Sequence, residues 1–169
     1  VDVRDLSALT SIIDKHKPDY AFHLAAQAIV SSSYKDPVDT INTNAIGTMN
    51  MLESLRLVGN NCVAIFITSD KCYDNVEWEW GYRETDALGG KDVYSSSKGA
   101  AELIIKSYAE SFFSQDEHAV RVAVKMSPFF TPIMGKNNVP FFLCSICIFR
   151  KRKFMQISKM ISYILVSDI

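Results

Sequence analysis

The sequence predicts an α/β protein with a mostly parallel sheet and helices on both of its faces. Helix-like and strand-like apolar patterns alternate along the chain. The strand-like runs are short and apolar throughout, which is typical of strands buried on both faces. The long connections between them fit helical crossovers between parallel strands. With 169 residues, 48% of them hydrophobic, the chain can bury one sizeable core.

The first predicted elements are a helix and a short strand. Apolar residues recur at helical spacing over Leu6–His16, and Pro18 then ends the helix. Residues 20–24 form a compact run that predicts a buried strand. This strand leads into the small residues Ala25 and Ala26, which predict a loop.

A long helix and a central strand follow. Apolar residues repeat every three or four positions over residues 36–58, and Gly59 ends this helix. Residues 62–67 form an uninterrupted apolar and β-branched run, which predicts a central strand. A helix over residues 94–113 and a strand over residues 120–124 complete the alternating pattern.

Composition and charge narrow the classes of function. The net charge of -1 gives no reason to expect a nucleic-acid partner. The most apolar stretch, residues 139–149, has about half the length of a membrane span, so we predict none. Four cysteines without a signal peptide favour a cytoplasmic protein. Cys144 and Cys147 have metal-ligand spacing but no second ligand pair, so we predict no metal site.

The last quarter of the chain differs from the rest. Residues 125–169 carry 7 of the 18 Lys and Arg residues but 1 of the 19 Asp and Glu residues. We therefore predict a domain over residues 1–124 and a divergent basic and apolar tail over residues 125–169. Translation of a shifted reading frame and a disordered segment are the explanations that the composition favours. Binding to a membrane surface or to a partner protein is the alternative.

Polar clusters follow the predicted strands, at the edge where ligands of parallel sheets collect. Residues 23–27 contain small side chains that would let a cofactor approach the backbone closely. Residues 68–71, Thr-Ser-Asp-Lys, place a hydroxyl, a carboxylate and an ammonium directly after the central strand. Tyr94 and Lys98 are four residues apart, and therefore share one face of a helix.

The pairing of Tyr94 with Lys98 suggests proton-transfer chemistry. An ammonium near a phenol favours the phenolate and lowers a pKa that starts near ~10 toward neutrality. Such a tyrosine can exchange a proton with a sugar hydroxyl while hydride leaves the same carbon. The spacing alone is common in helices, but Ser69, 25 residues earlier at a strand end, adds a second independent element.

Ser69, Tyr94 and Lys98 together resemble the Ser/Thr, Tyr and Lys set of the short-chain dehydrogenases/reductases. More narrowly, residues 1–124 resemble the CDP-glucose 4,6-dehydratase group of the extended branch of that superfamily. The segments that carry this resemblance are Asp2-Val-Arg-Asp5, His23-Leu-Ala-Ala-Gln27, Asn42-Thr-Asn44 with Gly47-Thr48, Thr68-Ser-Asp-Lys-Cys-Tyr73, Trp80-Gly-Tyr-Arg-Glu84, Leu88-Gly-Gly90 and the run from Tyr94 to Glu102.

The resemblance implies a partial Rossmann-type doubly wound sheet that binds NAD. It implies that Asp2 and Val3 border the adenine. The residues that would hold the remainder of the cofactor are the loop residues Ala25, Ala26 and Gln27 at the pyrophosphate and ribose, and Tyr94 and Lys98 at the nicotinamide ribose.

The resemblance also implies roles in a dehydration of CDP-glucose to CDP-4-keto-6-deoxyglucose, a step of O-antigen dideoxysugar synthesis. Ser69 would orient the 4-hydroxyl of the sugar, and Tyr94 would remove its proton. Lys71 would then take the C5 proton, while Asp70 would protonate the departing C6 hydroxyl. A solvated Lys71 without a catalytic role is the alternative.

The sequence departs from the group at both ends, where a glycine-rich turn before Asp2 and a Gly-Asn-Val segment after Val124 are missing. We therefore expect an inactive fragment of such an enzyme. A non-catalytic Rossmann remnant that serves as a dimerisation module is one alternative, and a homodimer would use the helices over residues 36–58 and 94–113. A nucleotide-sugar epimerase is another, although an epimerase needs no acid such as Asp70.

Overall fold

The computed structural model describes residues 1–83, 85–113, 120–127 and 146–148, and the last two ranges as backbone alone. Helices and strands alternate along the described chain. In order they are α1 (Leu6–His16), β1 (Tyr20–His23), α2 (Val30–Lys35), α3 (Pro37–Ile41), a first π turn (Asn42–Ile46), α4 (Gly47–Val58), β2 (Cys62–Ser69), a 3-10 turn (Asp70–Cys72), α5 (Val93–Tyr108), a second π turn (Ala109–Phe113), β3 (Val120–Ser127) and β4 (Ile146–Ile148).

The strands form one sheet in the order β1-β2-β3-β4. β1 and β3 both pair with β2 in parallel, with His23 opposite Phe66 and Ser127 opposite Ser69. β4 pairs with β3 in the antiparallel sense. The predicted partial Rossmann-type α/β architecture is confirmed. β4 lies in the segment for which the sequence predicted no strand, and the domain boundary at residue 124 stays a prediction.

The core lies between the sheet and the helices α1, α4 and α5. α1 packs on α4, and α4 packs on α5. The buried apolar residues of this layer are Ile13, Ala21, Leu52, Leu55, Cys62, Ala64, Phe66 and Ile105. The prediction of a buried strand over residues 20–24 was wrong in part: β1 ends at His23 and is buried on one face only. Ala21 and His23 are buried, while Tyr20 and Phe22 are exposed on the opposite face of the sheet.

The ends of α1 agree with the prediction and have a local cause. The carboxylate of Asp5 accepts a hydrogen bond from the backbone N–H of Ala8 at 3.0 Å, which caps the first turn. At the other end Lys17 adopts a left-handed conformation, and its N–H donates to the carbonyl of Ile13. Pro18 follows directly and prevents continuation of the helix.

The long helix predicted over residues 36–58 has the right extent but is interrupted. α3 begins after the Asp36 cap with Pro37 in its first turn, and the first π turn separates it from α4. Gly59 ends α4 with a φ of 66°, and its N–H donates to the carbonyl of Leu55. The short α2, rich in serine, was not predicted, because serine favours caps and turns over helix interiors.

No helix of the described residues combines the length and the apolar character that a membrane crossing requires. Within the same residues, no group of three or more His, Cys, Asp or Glu side chains has an arrangement that could hold a metal ion. Cys62 and Cys72 are buried free thiols.

Candidate active site

β1 ends at the buried His23, which lies opposite Phe66, three residues before β2 ends at Ser69. His23 is 6% exposed, and its ring lies 5.4 Å from that of Phe66. Its Nε2 is 3.2 Å from the hydroxyl of Thr48 on α4. Burial, and then the ammonium of Lys98, lower the pKa of His23 to about 4. The imidazole is therefore neutral at neutral pH.

Asn44 in the first π turn ties the loop after β1 to α5. Its Oδ1 accepts from the backbone N–H of Gln27 at 2.8 Å. Its Nδ2 donates to the carbonyl of Gln27 at 3.1 Å and to the hydroxyl of Ser97 at 2.9 Å. Ser97 in turn donates to the carbonyl of Tyr94. A π turn that carries a buried amide to two other elements is typical of a functional position.

Asn44 was not among the predicted site residues. It belongs to the Asn-Thr-Asn segment that contributed to the resemblance, but a periodic pattern of apolar residues does not reveal what a polar residue inside it contacts. An asparagine in the middle of an otherwise amphipathic helix was the available signal, since asparagine is unfavourable there unless its amide has partners.

The predicted adenine-side residues, Asp2 and Val3, lie against the start of α4. Asn50 donates to the carbonyl of Val3 at 3.0 Å. A Cβ added at Gly47 would lie 2.8 Å from Cγ2 of Val3, so glycine permits this close approach. Asp2 is exposed and accepts hydrogen bonds from the side chain and backbone of Arg4, which lower its pKa to about 2.

The other predicted cofactor residues form the loop after β1. Ala25 is exposed, whereas Ala26 and Gln27 are half-buried. The Gln27 side chain closes the loop locally, because its Nε2 donates to the carbonyl of Ile29 and its Oε1 accepts from the Ile29 N–H. Together with Asn44, these contacts give the loop one defined backbone path.

Tyr94 and Lys98 share one buried face of α5. Asp92 caps this helix by accepting from the N–H of Ser95 at 2.9 Å and from its hydroxyl at 2.7 Å. Tyr94 is 7% exposed and Lys98 6% exposed, and Nζ of Lys98 lies 6.0 Å from the centre of the Tyr94 ring. Burial lowers the pKa of Lys98, and Glu102 and Cys72 counteract this effect.

Ser69 ends β2, and Asp70 and Lys71 begin the 3-10 turn that follows it. The Ser69 hydroxyl donates to Oδ1 of Asp70 at 3.1 Å and accepts from the backbone N–H of Lys71 at 3.2 Å. Asp70 and Lys71 are exposed. Ser69 thus has a fixed hydroxyl at the end of a central strand, with a carboxylate directly beside it.

This turn packs against the amino-terminal half of α5. A Cβ at Gly99 would lie 3.2 Å from the carbonyl oxygen of Cys72, so glycine allows the two backbones to approach. Burial acts against ionisation of Asp92, but hydrogen bonds from Ser95 and the nearby ammonium of Lys71 leave its pKa lowered. Lys71 therefore lies near the start of α5.

Three parallel strands, β1 to β3, with a polar turn after β2 and a buried Tyr and Lys one helical turn apart are typical of Rossmann-type α/β proteins. Within this class, the family model described as GDP-mannose 4,6 dehydratase matches residues 1–129. The chain belongs to this family of nucleotide-sugar dehydratases.

Individual relatives agree with this membership. The chain is 47% identical over 125 residues to CDP-glucose 4,6-dehydratase of Salmonella typhimurium. This alignment covers 72% of the chain and 35% of that protein. It is 32% identical to CDP-paratose 2-epimerase of Salmonella typhi, over 66% of this chain and 37% of the relative. The chain thus spans about a third of the length of these curated relatives.

A solved structure has the same fold over the same part of the chain. The UDP-glucose 4-epimerase of Thermus thermophilus, in complex with NAD, aligns with a TM-score of 0.63 and 28% identity. The alignment covers 73% of this chain and 38% of the epimerase.

Proposed function

We propose that this chain is part of an NAD-dependent nucleotide-sugar 4,6-dehydratase that acts on CDP-glucose. The observation that carries the proposal is the buried Tyr94 and Lys98 pair on the helix that packs against the Asp70–Cys72 turn, which directly follows Ser69. The 47% identity to a CDP-glucose 4,6-dehydratase supports the choice of sugar and base.

The residues of the chain fit NAD. The Asp2 carboxylate is exposed, with a pKa of about 2, and therefore offers an anionic acceptor to the adenine amino group. The Asn44 amide holds the loop that contains Ala25 and Ala26, whose small side chains leave its backbone accessible. Tyr94 and Lys98 would hold the nicotinamide ribose. A bound NAD would supply the hydride acceptor for C4 of the sugar and the hydride donor for C6.

The side chains would move the protons of this reaction. The Ser69 hydroxyl orients the 4-hydroxyl of the sugar, and Tyr94 takes the proton of that hydroxyl, with Lys98 stabilising the phenolate by its positive charge. Oxidation at C4 acidifies the C5 proton, which Lys71 takes. Asp70 donates a proton to the C6 hydroxyl, which leaves as water. Hydride return to C6 requires a proton at C5. One of the two protons taken by Tyr94 and Lys71 would return to C5 and the other would restore Asp70, so the net change is the loss of one water.

Two measurements test this proposal. Saturation-transfer NMR on the 169-residue chain would detect binding of NAD, and Tyr94→Phe and Lys98→Met should weaken it. Chemistry requires a chimera in which residues 1–124 replace the matching segment of the Salmonella typhimurium enzyme. The chimera should convert CDP-glucose to a 4-keto sugar, which alkaline absorbance detects. A chimera that stays fully active after Tyr94→Phe would refute the assignment.

An epimerase is the second candidate, because a CDP-paratose 2-epimerase is 32% identical to the chain. The carboxylate of Asp70, hydrogen-bonded to Ser69, favours a dehydratase. In the chimera, Asp70→Asn should abolish loss of water while the oxidation at C4 still occurs. If Asp70→Asn leaves dehydration unchanged, Asp70 is not the acid. If the parent chimera epimerises sugars without releasing water, the second candidate is correct.

We also propose a homodimer through the helices over residues 36–58 and 94–113. Exposed apolar side chains on these helices support this, namely Val38, Ile41 and Leu103. The absence of turnover by the chain alone, the origin of its tail over residues 125–169 and its cytoplasmic location stay predictions.

A further inference from the structure

A half-buried glutamate on α5, Glu102, has no role in the chemistry described so far. Glu102 lies one helical turn beyond Lys98, on the same face. Its Oε1 is buried without a hydrogen-bond partner in the described residues, and so is the hydroxyl of Thr68 on β2. Buried polar atoms without partners destabilise a fold and are typical of functional positions. Their presence beside the Tyr94 and Lys98 pair therefore requires an explanation.

The charges of Glu102 and Lys98 affect each other's pKa. Burial lowers the pKa of Lys98, and the carboxyl of Glu102 is the larger of the two influences that raise it. Burial, in turn, raises the pKa of Glu102, while Thr68 and the ammonium of Lys98 lower it. Thr68 lies close enough to affect Glu102, although their polar atoms do not form a hydrogen bond.

Two other titratable groups near Lys98, Cys72 and His23, are uncharged at neutral pH. Cys72 faces it from the 3-10 turn, and burial raises the pKa of that thiol to about 12. His23 faces it from β1, with a pKa lowered to about 4. Tyr94 lies on the same helix. Of these neighbours in the described chain, Glu102 is the one that can offset the cost of burying an ammonium.

We propose that Glu102 is a positioning residue, the half-buried counter-charge that keeps Lys98 protonated beside Tyr94. This inference rests on the proposed role of Lys98, because a neutral lysine could not stabilise the phenolate of Tyr94. It also links β2 to α5: Glu102 faces Thr68, the residue before Ser69, so the carboxylate lies between the strand that carries the serine and the helix that carries the lysine.

The test measures the pKa of Lys98 in the full 169-residue chain by NMR of 13Cε-labelled lysine, with the signal assigned by its loss in Lys98→Arg. Glu102→Gln keeps the shape of the side chain and removes the charge, and should lower the pKa of Lys98 by about 1 unit or more. Glu102→Asp, which keeps a carboxylate, should lower it less. Glu110→Gln, on the exposed second π turn, is the control with the same change in charge.

A pKa of Lys98 that stays within about 0.2 unit of the wild-type value in a folded Glu102→Gln variant would overturn the inference. If that variant does not fold, the wild-type chain provides the second measurement. The Lys98 signal should then shift at the pH where the Glu102 carboxyl titrates, and a Lys98 signal that does not respond would refute the coupling. Neither measurement uses NAD or a sugar, so their failure is distinct from failure of the proposed function.

Discussion

Replacement of Asn44 by alanine tests whether the Asn44 hydrogen bonds hold the loop after β1 against α5. The amide makes three hydrogen bonds, two to the backbone of Gln27 and one to Ser97, and Asn44 is 1% exposed. Each such bond contributes a net of about 0.5 to 1.5 kcal/mol, so the loss of all three amounts to roughly 1.5 to 4.5 kcal/mol. The lower value applies if water reaches the half-buried Gln27, and the higher value if its N–H and carbonyl stay without partners.

The assay is urea unfolding followed by circular dichroism, with Asn50→Ala as the matched control. Asn50 is also a buried asparagine on the same helical segment, but its amide makes one recorded hydrogen bond, to the carbonyl of Val3. We expect it to lose about 1 kcal/mol. Hydrogen exchange adds a local readout, because the Gln27 N–H should lose its protection in Asn44→Ala alone. An equal loss of stability in the two variants, with the Gln27 N–H still protected from exchange, would refute the role of Asn44 in holding the loop.

Other predictions concern pH, packing and association. His23 has a pKa lowered to about 4, whereas a free imidazole titrates near ~6.5. Because the unfolded chain binds more protons between these values, the free energy of unfolding should fall by about 3 kcal/mol as the pH decreases from 6.5 to 4. Glu102, with its raised pKa, acts in the opposite direction. Unfolding measured across this range should show a smaller fall in His23→Gln, and an equal fall would contradict the assignment. Gly47→Ala should cost about 1 to 3 kcal/mol in thermal unfolding, because its Cβ would meet Val3 at 2.8 Å, and a neutral substitution would mean that Val3 moves freely. Leu103→Glu should shift the protein from dimer to monomer in sedimentation velocity. Lys15→Glu, exposed on α1 and outside the two proposed interface helices, should not. Dissociation of neither or of both variants would count against the proposed interface.

The order and type of most elements could be predicted from local patterns. The ends of α1 and α4 are set by Asp5, Pro18 and Gly59, because each of these residues affects only the helical turn next to it. β2 could be recognised from its uninterrupted apolar run, because a central strand is covered on both faces and shows no alternation of polar and apolar residues. The short α2 and the first π turn escaped prediction, because the contacts that favour them are with residues distant in the sequence.

The candidate site divides in the same way. That Tyr94 and Lys98 share one face follows from helical spacing, and that Ser69 lies at a strand end follows from the apolar run before it. The contacts of Asn44 could not be predicted, because Gln27 and Ser97 lie 17 and 53 residues away.

The sequence by itself determined the alternation of strands and helices, the resemblance to nucleotide-sugar dehydratases and the residue types available for proton transfer. These features depend on short-range spacing and on the identity of side chains. The tertiary structure alone decided that Asn44 binds the loop after β1, that His23 is buried and neutral, and that Glu102 shares the environment of Lys98. Burial and the interaction between charges depend on contacts between segments that are distant in the sequence, and these contacts form only when the chain packs.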